Sequence, residues 1–104
     1  MKQVAFEMKL NEGKKLEYKK RHDEIWPELV TLLKTTGISE YSIYLNEETG
    51  SLFGVMKVSD EMALDQLPNQ PIMQKWWAYM KDIMLTHPNN SPVSIPLTAV
   101  FYLP

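Results

Sequence analysis

Apolar and polar residues alternate along four separate stretches of the chain. In the first of these, Val4, Phe6 and Met8 lie on one side, while Glu7 and Lys9 lie on the other. A period of two residues is typical of a half-buried β-strand. The alternation predicts strands over residues 4–10, 38–45, 52–58 and 97–103, with the turn at 46–50 joining the second and third as a hairpin.

Two segments between these strands have the period of an α-helix, in which residues four apart share a face. The first covers residues 14–36 and ends at the C-cap Gly37. Pro27 interrupts this segment, because proline cannot donate a backbone hydrogen bond and crowds the preceding turn. The helix is therefore expected to kink or restart close to His22.

The second helical region follows Asp60, a suitable N-cap, and its longer helix covers residues 72–85 after Pro68 and Pro71. The order of elements is strand, helix, strand, strand, helix, strand. Right-handed connections turn this order into an α+β fold, a ferredoxin-like βαββαβ sandwich with both helices on one face of the sheet. The 104 residues of the chain, 1–104, are expected to form a single domain.

The other face of the predicted sheet is also apolar. Phe53 and Val55 lie on the opposite side of their strand from Leu52 and Met56, and the last strand is apolar on both sides. Burying apolar area is worth about 25 cal/mol per Å², so a second sheet is the natural cover for this face. We predict a homodimer in which two sheets pack face to face.

Composition and charge exclude several classes of function. The formal net charge of -2 offers no basic field for a phosphate backbone, so nucleic acid is not an expected partner. The chain has no cysteine and its two histidines lack metal-site spacing, so neither thiol chemistry nor a catalytic metal is expected. No phosphate-binding glycine loop or GxSxG elbow is present, which leaves acid/base chemistry without a cofactor.

The first ten residues contain neither a signal-peptide core nor a membrane span, so a cytoplasmic location and no membrane partner are expected by default.

Tyr18 and His22 are the first candidates for chemistry, since their spacing of four places them on one helix face. His22 is the only side chain on this helix whose unperturbed pKa, about 6.5, lies near working pH, so it could give or take a proton. The alternative is a buried structural histidine that bonds to Tyr18 or to a carbonyl freed by Pro27. His87 lies in a loop rich in proline and asparagine and is expected to be solvated.

Trp76 and Trp77 are the second unusual feature. Neighbours on a helix diverge by about 100°, so both rings cannot enter the same core, and one is expected to line a cleft. A flat aromatic ring suits the apolar face of a sugar, and the indole N–H can donate to its hydroxyls. Core or dimer packing is the alternative. Tyr41 carries a hydroxyl on the same strand face as Ile43 and needs a partner when buried, unless it is simply a core tyrosine.

Several separated motifs resemble the L-rhamnose mutarotase family, and the resemblance runs essentially from end to end. The motifs are Tyr18–His22, Ile25–Leu29, Tyr41–Leu45, Trp76–Met80, Asn90–Val93 and Val100–Pro104. The resemblance implies a dimeric α/β barrel and an isomerase that interconverts the α and β pyranose anomers of L-rhamnose without a cofactor. It also implies that His22 is the proton donor and that the sugar is contacted by Tyr18, Tyr41, Trp76 and Trp77. The chain has Asn89 where the family loop tends to carry an aspartate.

Two alternatives remain open. The first is a cofactor-independent or haem-degrading monooxygenase of the same barrel type, because such proteins also place histidine and tryptophan around a cleft. The second is a non-catalytic ligand-binding or dimerisation module in which His22 is only a packed histidine. Oxygen consumption or haem uptake would favour the first, and a His22→Ala protein that folds without functional loss would favour the second.

Overall fold

Four antiparallel strands form one sheet in the computed structural model, which describes residues 2–104. The elements in chain order are β1 (Lys2–Lys9), α1 (Lys15–Asp23), α2 (Pro27–Thr35), β2 (Ile38–Leu45), β3 (Ser51–Val58), α3 (Glu61–Leu64), a 3-10 turn (Leu67–Asn69), α4 (Pro71–Met80) and β4 (Ile95–Pro96). The sheet order is β2-β3-β1-β4. This is the order of a ferredoxin-like sandwich, so the predicted fold class is confirmed.

The core lies between one face of the sheet and the longer helices. Met8 and Leu52, paired across β1 and β3, pack in one buried cluster with Leu29 of α2 and with Trp76 and Met80 of α4. A second buried cluster, around Ile38, Met56 and Val58, continues the same face toward α3. The helices therefore cover one side of the sheet, as predicted.

The predicted interruption near Pro27 divides the first helical segment in two. α1 ends at Asp23, and α2 begins with Pro27 in its first turn. A backbone N–H at this position would have no acceptor within the helix, so proline costs the helix no hydrogen bond there. Trp26, the residue before the proline, is extended with ψ 132°, because the proline ring disfavours helical geometry there. The break lies directly after His22, and α1 can therefore take a direction of its own.

Two predicted helix boundaries are also confirmed. The Asp60 carboxylate accepts a hydrogen bond from the backbone N–H of Met62 at 2.9 Å, which caps α3. At the end of α2, Gly37 has a φ of +96°, a left-handed conformation that glycine adopts without a steric penalty.

The prediction of a last strand over 97–103 was wrong. The structure places β4 at Ile95–Pro96, paired with Glu7 and Phe6, and the ladder ends after the Leu97 N–H bonds to the carbonyl of Ala5. The segment beyond is open to solvent, with Val100 93% exposed. Alternation marks residues that suit a strand, but a strand also requires a neighbour to bond with, and the segment pairs with none of the strands described in residues 2–104.

The predicted helix over 72–85 is shorter than expected and ends at Met80. The Ile83 N–H bonds back to the Met80 carbonyl in a turn, and Met84 then bridges to Leu10 at the end of β1. Ile83 and Met84 are buried, and they reach the core through this turn and bridge. Within residues 2–104, no helix is long and apolar enough to cross a membrane. The cytoplasmic location stays a prediction.

Candidate active site

A cavity of about 920 Å³ lies between the sheet and the helices. All five site residues that were predicted from the sequence line it: Tyr18, His22, Tyr41, Trp76 and Trp77. They come from α1, β2 and α4, so the fold brings together side chains that are up to 59 positions apart, from 18 to 77. A cavity of this size is ample for a small ligand.

Tyr18 and His22 form a stacked pair on α1, with ring centroids 4.3 Å apart and planes inclined by 27°. This is the arrangement expected of residues four apart on one helix face. Tyr18 is buried and His22 is half-buried. The histidine therefore borders the cavity with one of its faces covered by the tyrosine.

The environment of His22 defines which nitrogen can react. Nδ1 lies 3.0 Å from the Tyr18 carbonyl oxygen, and a carbonyl can only accept, so Nδ1 carries the proton of the neutral ring. Nε2 is left as the acceptor. Burial lowers the pKa of His22 from its usual 6.5, while the bond to the Tyr18 carbonyl and the charge of Asp23 oppose part of this shift. The ring is consequently neutral near pH 7.

Trp76 is buried and Trp77 is half-buried, and both line the cavity. One ring was expected to line a cleft, and the structure places both beside the cavity. Trp76 meets the His22 ring edge to face, with centroids 5.4 Å apart and planes at 90°. T-shaped pairs are a favoured arrangement of aromatic rings, and this contact joins the histidine of α1 to α4.

A β-bulge turns Tyr41 toward the cavity. Ser39 lies opposite Lys57 and Ser42 lies opposite Val55, so β2 contains one residue more than β3 across this interval. Glu40, inside the bulge, has a φ of +47°, which is uncommon outside glycine. Because of the additional residue, Ile38 and Tyr41 border the same cavity although their spacing of three would place them on opposite faces of a regular strand.

Phe6, which packs over Gly54, supports the Tyr41 ring. Phe6 and Gly54 are directly opposed in β1 and β3, and the Phe6 ring lies over the glycine where any larger residue would place its Cβ. The ring then meets Tyr41 edge to face at 6.1 Å. Gly54 is thus needed for close approach, and its φ is not in the left-handed region.

Both tyrosine hydroxyls stay protonated throughout the physiological range. Burial raises the pKa of Tyr41 to about 12. Burial also raises the pKa of Tyr18, with a further contribution from nearby Tyr41. Neither is suited to act as a phenolate base, and both are available as hydrogen-bond donors to a polar ligand.

The loop of residues 87–92 borders the cavity through Ser91 and Pro92. Asn89 uses its side-chain oxygen inside the loop, accepting from the N–H of Ser91 at 3.0 Å and from its hydroxyl at 2.5 Å. An aspartate could accept the same two bonds, so the departure from the family sequence leaves the turn intact. His87 is exposed, as predicted.

Sequence reasoning missed Arg21, Trp26 and Tyr79 as neighbours of the site. Trp26 meets Trp76 edge to face at 5.1 Å and lies 5.5 Å from the Tyr79 ring. In the sequence, Trp26 and Tyr79 stand out only as members of the motifs Ile25–Leu29 and Trp76–Met80. Their contacts join α2 to α4 and depend on packing that no local pattern displays.

The fold and the cavity define a small α+β protein whose site combines one histidine with tyrosines and tryptophans. The family model described as L-rhamnose mutarotase matches residues 3–103, and the chain belongs to that family. An L-rhamnose mutarotase from Jannaschia sp. is 57% identical over 104 residues, with complete coverage of both chains. The crystal structure of an L-rhamnose mutarotase from Formosa agariphila has a TM-score of 0.93 and 54% identity, again with complete coverage of both.

A more distant likeness concerns the fold alone. A dimeric ferredoxin-like protein from an uncultured marine organism has a TM-score of 0.59 and 16% identity, covering 97% of this chain and 96% of that one. The shared architecture agrees with the sheet order described above. At this identity the likeness carries no information on activity.

Proposed function

We propose that this protein is an L-rhamnose mutarotase that interconverts the α and β pyranose anomers by proton transfer at His22. The observation that carries the mechanism is the hydrogen bond from Nδ1 to the Tyr18 carbonyl, which reserves Nε2 for the substrate. Membership of the family and the 57% identity to the Jannaschia enzyme support the choice of sugar.

Mutarotation breaks and remakes the bond between C1 and the ring oxygen of a cyclic hemiacetal. In the proposed step, neutral Nε2 takes the proton of the anomeric hydroxyl while the C1–O bond opens to an aldehyde. The imidazolium then donates that proton to the former ring oxygen. The aldehyde rotates about its bond to C2, and the reverse sequence closes the ring on its other face. Protons and electrons balance within this cycle, and positioned proton transfer contributes typically about 10²–10⁴-fold.

One nitrogen can serve both steps because the two oxygens involved are bonded to the same carbon. His22 therefore acts as the proton donor to the ring oxygen after it has acted as the base. Its lowered pKa suits this order, since the resting ring is neutral. A separate base is not required by the proton balance.

The other four residues are proposed to hold the sugar. Tyr18 and Tyr41 donate hydrogen bonds to its hydroxyls, a role supported by their raised pKa values. Trp76 and Trp77 offer flat apolar surface and indole N–H groups, which suit the C–H faces and hydroxyls of a pyranose. Trp76 also keeps the histidine ring in place through its edge-to-face contact.

The test is anomer exchange of L-rhamnose measured by saturation-transfer NMR. Wild type is expected to accelerate exchange, and His22→Ala is expected to lose about 10²-fold or more of that acceleration. His87→Ala, which changes the other, exposed histidine, is the matched control and should exchange as wild type. No acceleration by wild type would refute the proposed function, and full activity of His22→Ala would remove His22 from its role.

We also propose that the protein is a homodimer. Phe53 and Val55 lie on the sheet face that the helices leave uncovered, and the register places Tyr44 beside Phe53. Tyr44 is 65% exposed in the single chain. The dimeric ferredoxin-like neighbour in fold supports pairing of two sheets to form a barrel. Sedimentation should give twice the chain mass for wild type and a monomer for Tyr44→Lys/Phe53→Lys, whereas a monomeric wild type would contradict the proposal.

A further inference from the structure

Arg21 makes the densest set of polar contacts in the part of the chain described, residues 2–104. Its Nη1 donates to the Tyr79 carbonyl at 2.7 Å and to the Asp82 carboxylate at 2.8 Å, and Nη2 donates to the second Asp82 oxygen at 3.1 Å. Its Nε donates to Glu17 at 2.8 Å. The guanidinium also lies 4.4 Å from the centre of the Tyr79 ring. The arginine thus joins the last turn of α1 to the end of α4 and the turn that follows.

Besides Arg21, α1 is attached to the rest of the protein by the buried Tyr18, by His22 against Trp76 and by the exposed ion pair of Lys15 with Glu47 at 2.7 Å. Tyr18 is its only buried residue, and Leu16, its only aliphatic residue, is 79% exposed. The chain breaks again after Asp23, so α2 does not fix the direction of α1. A helix with so small an apolar face gains most of its orientation from specific polar contacts. Arg21 provides them immediately beside His22.

We propose that Arg21 is a positioning residue that sets the distance of the His22 ring from Trp76 and from the bound sugar. The inference rests on the proposed function, because His22 is the residue positioned. A chain of contacts leads from Arg21 back to its neighbour in sequence, His22. Arg21 lies over the Tyr79 ring, that ring lies 5.8 Å from Trp76, and Trp76 contacts His22. Proton transfer depends steeply on such distances, and a displacement of about 1 Å can cost up to roughly 10²-fold.

Arginine is suited to this role in a way that lysine is not. The planar fork reaches two carboxylate oxygens and a carbonyl at once, and its flat face stacks on tyrosine. The Asp82 side chain is 63% exposed, whereas that of Arg21 is 10% exposed. Loss of the arginine therefore also removes packing, and kcat has to be compared with the folded fraction of each variant.

The experiment compares Arg21→Met, Arg21→Lys and Asp82→Asn with the matched control Lys20→Met. Lys20 is an exposed cation next to Arg21 on the same helix, so its removal changes charge without touching α4. Arg21→Met is expected to lower kcat for anomer exchange about 10- to 100-fold with KM changed by less than about threefold. Arg21→Lys and Asp82→Asn should each fall between this variant and wild type, and Lys20→Met should match wild type.

A second readout follows the histidine directly and does not require activity. NMR of the imidazole should give the Nδ1-protonated form in wild type and in Arg21→Met, because the bond from Nδ1 to the Tyr18 carbonyl lies within α1. Arg21→Met should instead shift the ring C–H signals of His22, which report the edge-to-face contact with Trp76. Arg21→Met that keeps wild-type kcat and imidazole signals would overturn the proposal. The proposal would also be overturned if Lys20→Met lost as much kcat as Arg21→Met. It would be overturned as well if, in Arg21→Met, Arg21→Lys and Asp82→Asn alike, the loss of kcat equalled the loss of folded protein measured by circular dichroism.

The two proposals fail in different ways. If wild type does not accelerate anomer exchange, the proposed function fails, and the imidazole signals still report whether Arg21 orients His22. If wild type is active and Arg21→Met is equally active, only the positioning role fails. If Arg21→Met does not fold, Arg21→Lys and Asp82→Asn replace it in the test. An unchanged kcat and unchanged imidazole signals in both of these variants would then contradict the proposal.

Discussion

Replacing Gly54 with alanine should disturb the site through the Phe6 ring, which lines the cavity on the same face of the sheet. The new Cβ would lie 2.5, 2.7 and 3.0 Å from three carbon atoms of the Phe6 ring. Carbon atoms pack at about 3.5–4.0 Å, so the ring must move by roughly 1 Å. Overpacking of this kind costs about 1–3 kcal/mol, which lowers Tm by about 4–8 °C per kcal/mol for a domain near this size.

The displaced ring is the one that holds Tyr41 edge to face. If Tyr41 loses its orientation, one hydrogen bond to the sugar weakens by roughly 1 kcal/mol, which corresponds to about a fivefold higher KM. Thermal unfolding and anomer exchange at several L-rhamnose concentrations measure the two effects separately. We expect kcat to change less than KM, because His22 lies on a different element.

A second substitution tests the stated cause. Phe6→Leu removes the ring atoms that the new methyl group would meet, so Gly54→Ala/Phe6→Leu should be more stable than the sum of the single changes predicts. The expected coupling is about 1–2 kcal/mol, well above the error for sites in contact. A Gly54→Ala protein with wild-type Tm, or single changes that simply add, would refute the reasoning.

Two further predictions concern His22 and Glu40. The pKa of His22 is lowered from 6.5 and the proposed cycle starts from the neutral ring, so the catalysed rate constant should be level near pH 7 and fall as the pH drops through a value below 6.5. Anomer exchange corrected for the uncatalysed rate measures this, and a rate that instead falls as the pH rises would mean that His22 starts protonated. At Glu40, whose φ is +47°, Glu40→Gly should be more stable than Glu40→Val by about 1–3 kcal/mol in urea unfolding. Both variants lose the ion pair with Lys57, so equal stabilities would show that the backbone conformation is not the cause.

Local chemistry explains the parts of the fold that the sequence predicts correctly. The interruption at Pro27 follows from a missing N–H, and the stacking of Tyr18 on His22 follows from the helical period. The cap at Asp60 and the glycine at position 37 are equally local. Each of these features depends on residues within about four positions, and their physical causes are present in the printed sequence.

The features that the sequence did not reveal depend on distant partners. Residues 97–103 alternate like a strand, yet beyond Leu97 they pair with no strand in the part of the chain that the structure describes. Arg21 is one of five basic residues between positions 14 and 21, and only the structure places Asp82 and Tyr79 beside it. A pattern of charges gives no sign of which one will be enclosed, because enclosure depends on the approach of another element.

The bulge in β2 depends both on the local pattern of residues and on contacts with distant elements. Strict alternation correctly placed Tyr41, Ile43 and Leu45 on one face, but it also required Ile38 to lie on the other. Ile38 is 5% exposed and borders the same cavity as Tyr41, so one residue had to be inserted between them. Glu40 has the left-handed backbone of this bulge, and the contacts of Ile38 before it and Ile43 after it with the core hold the strand in place. A strained residue beside a proposed ligand-binding side chain is the pattern expected when function, more than stability, determines the local conformation.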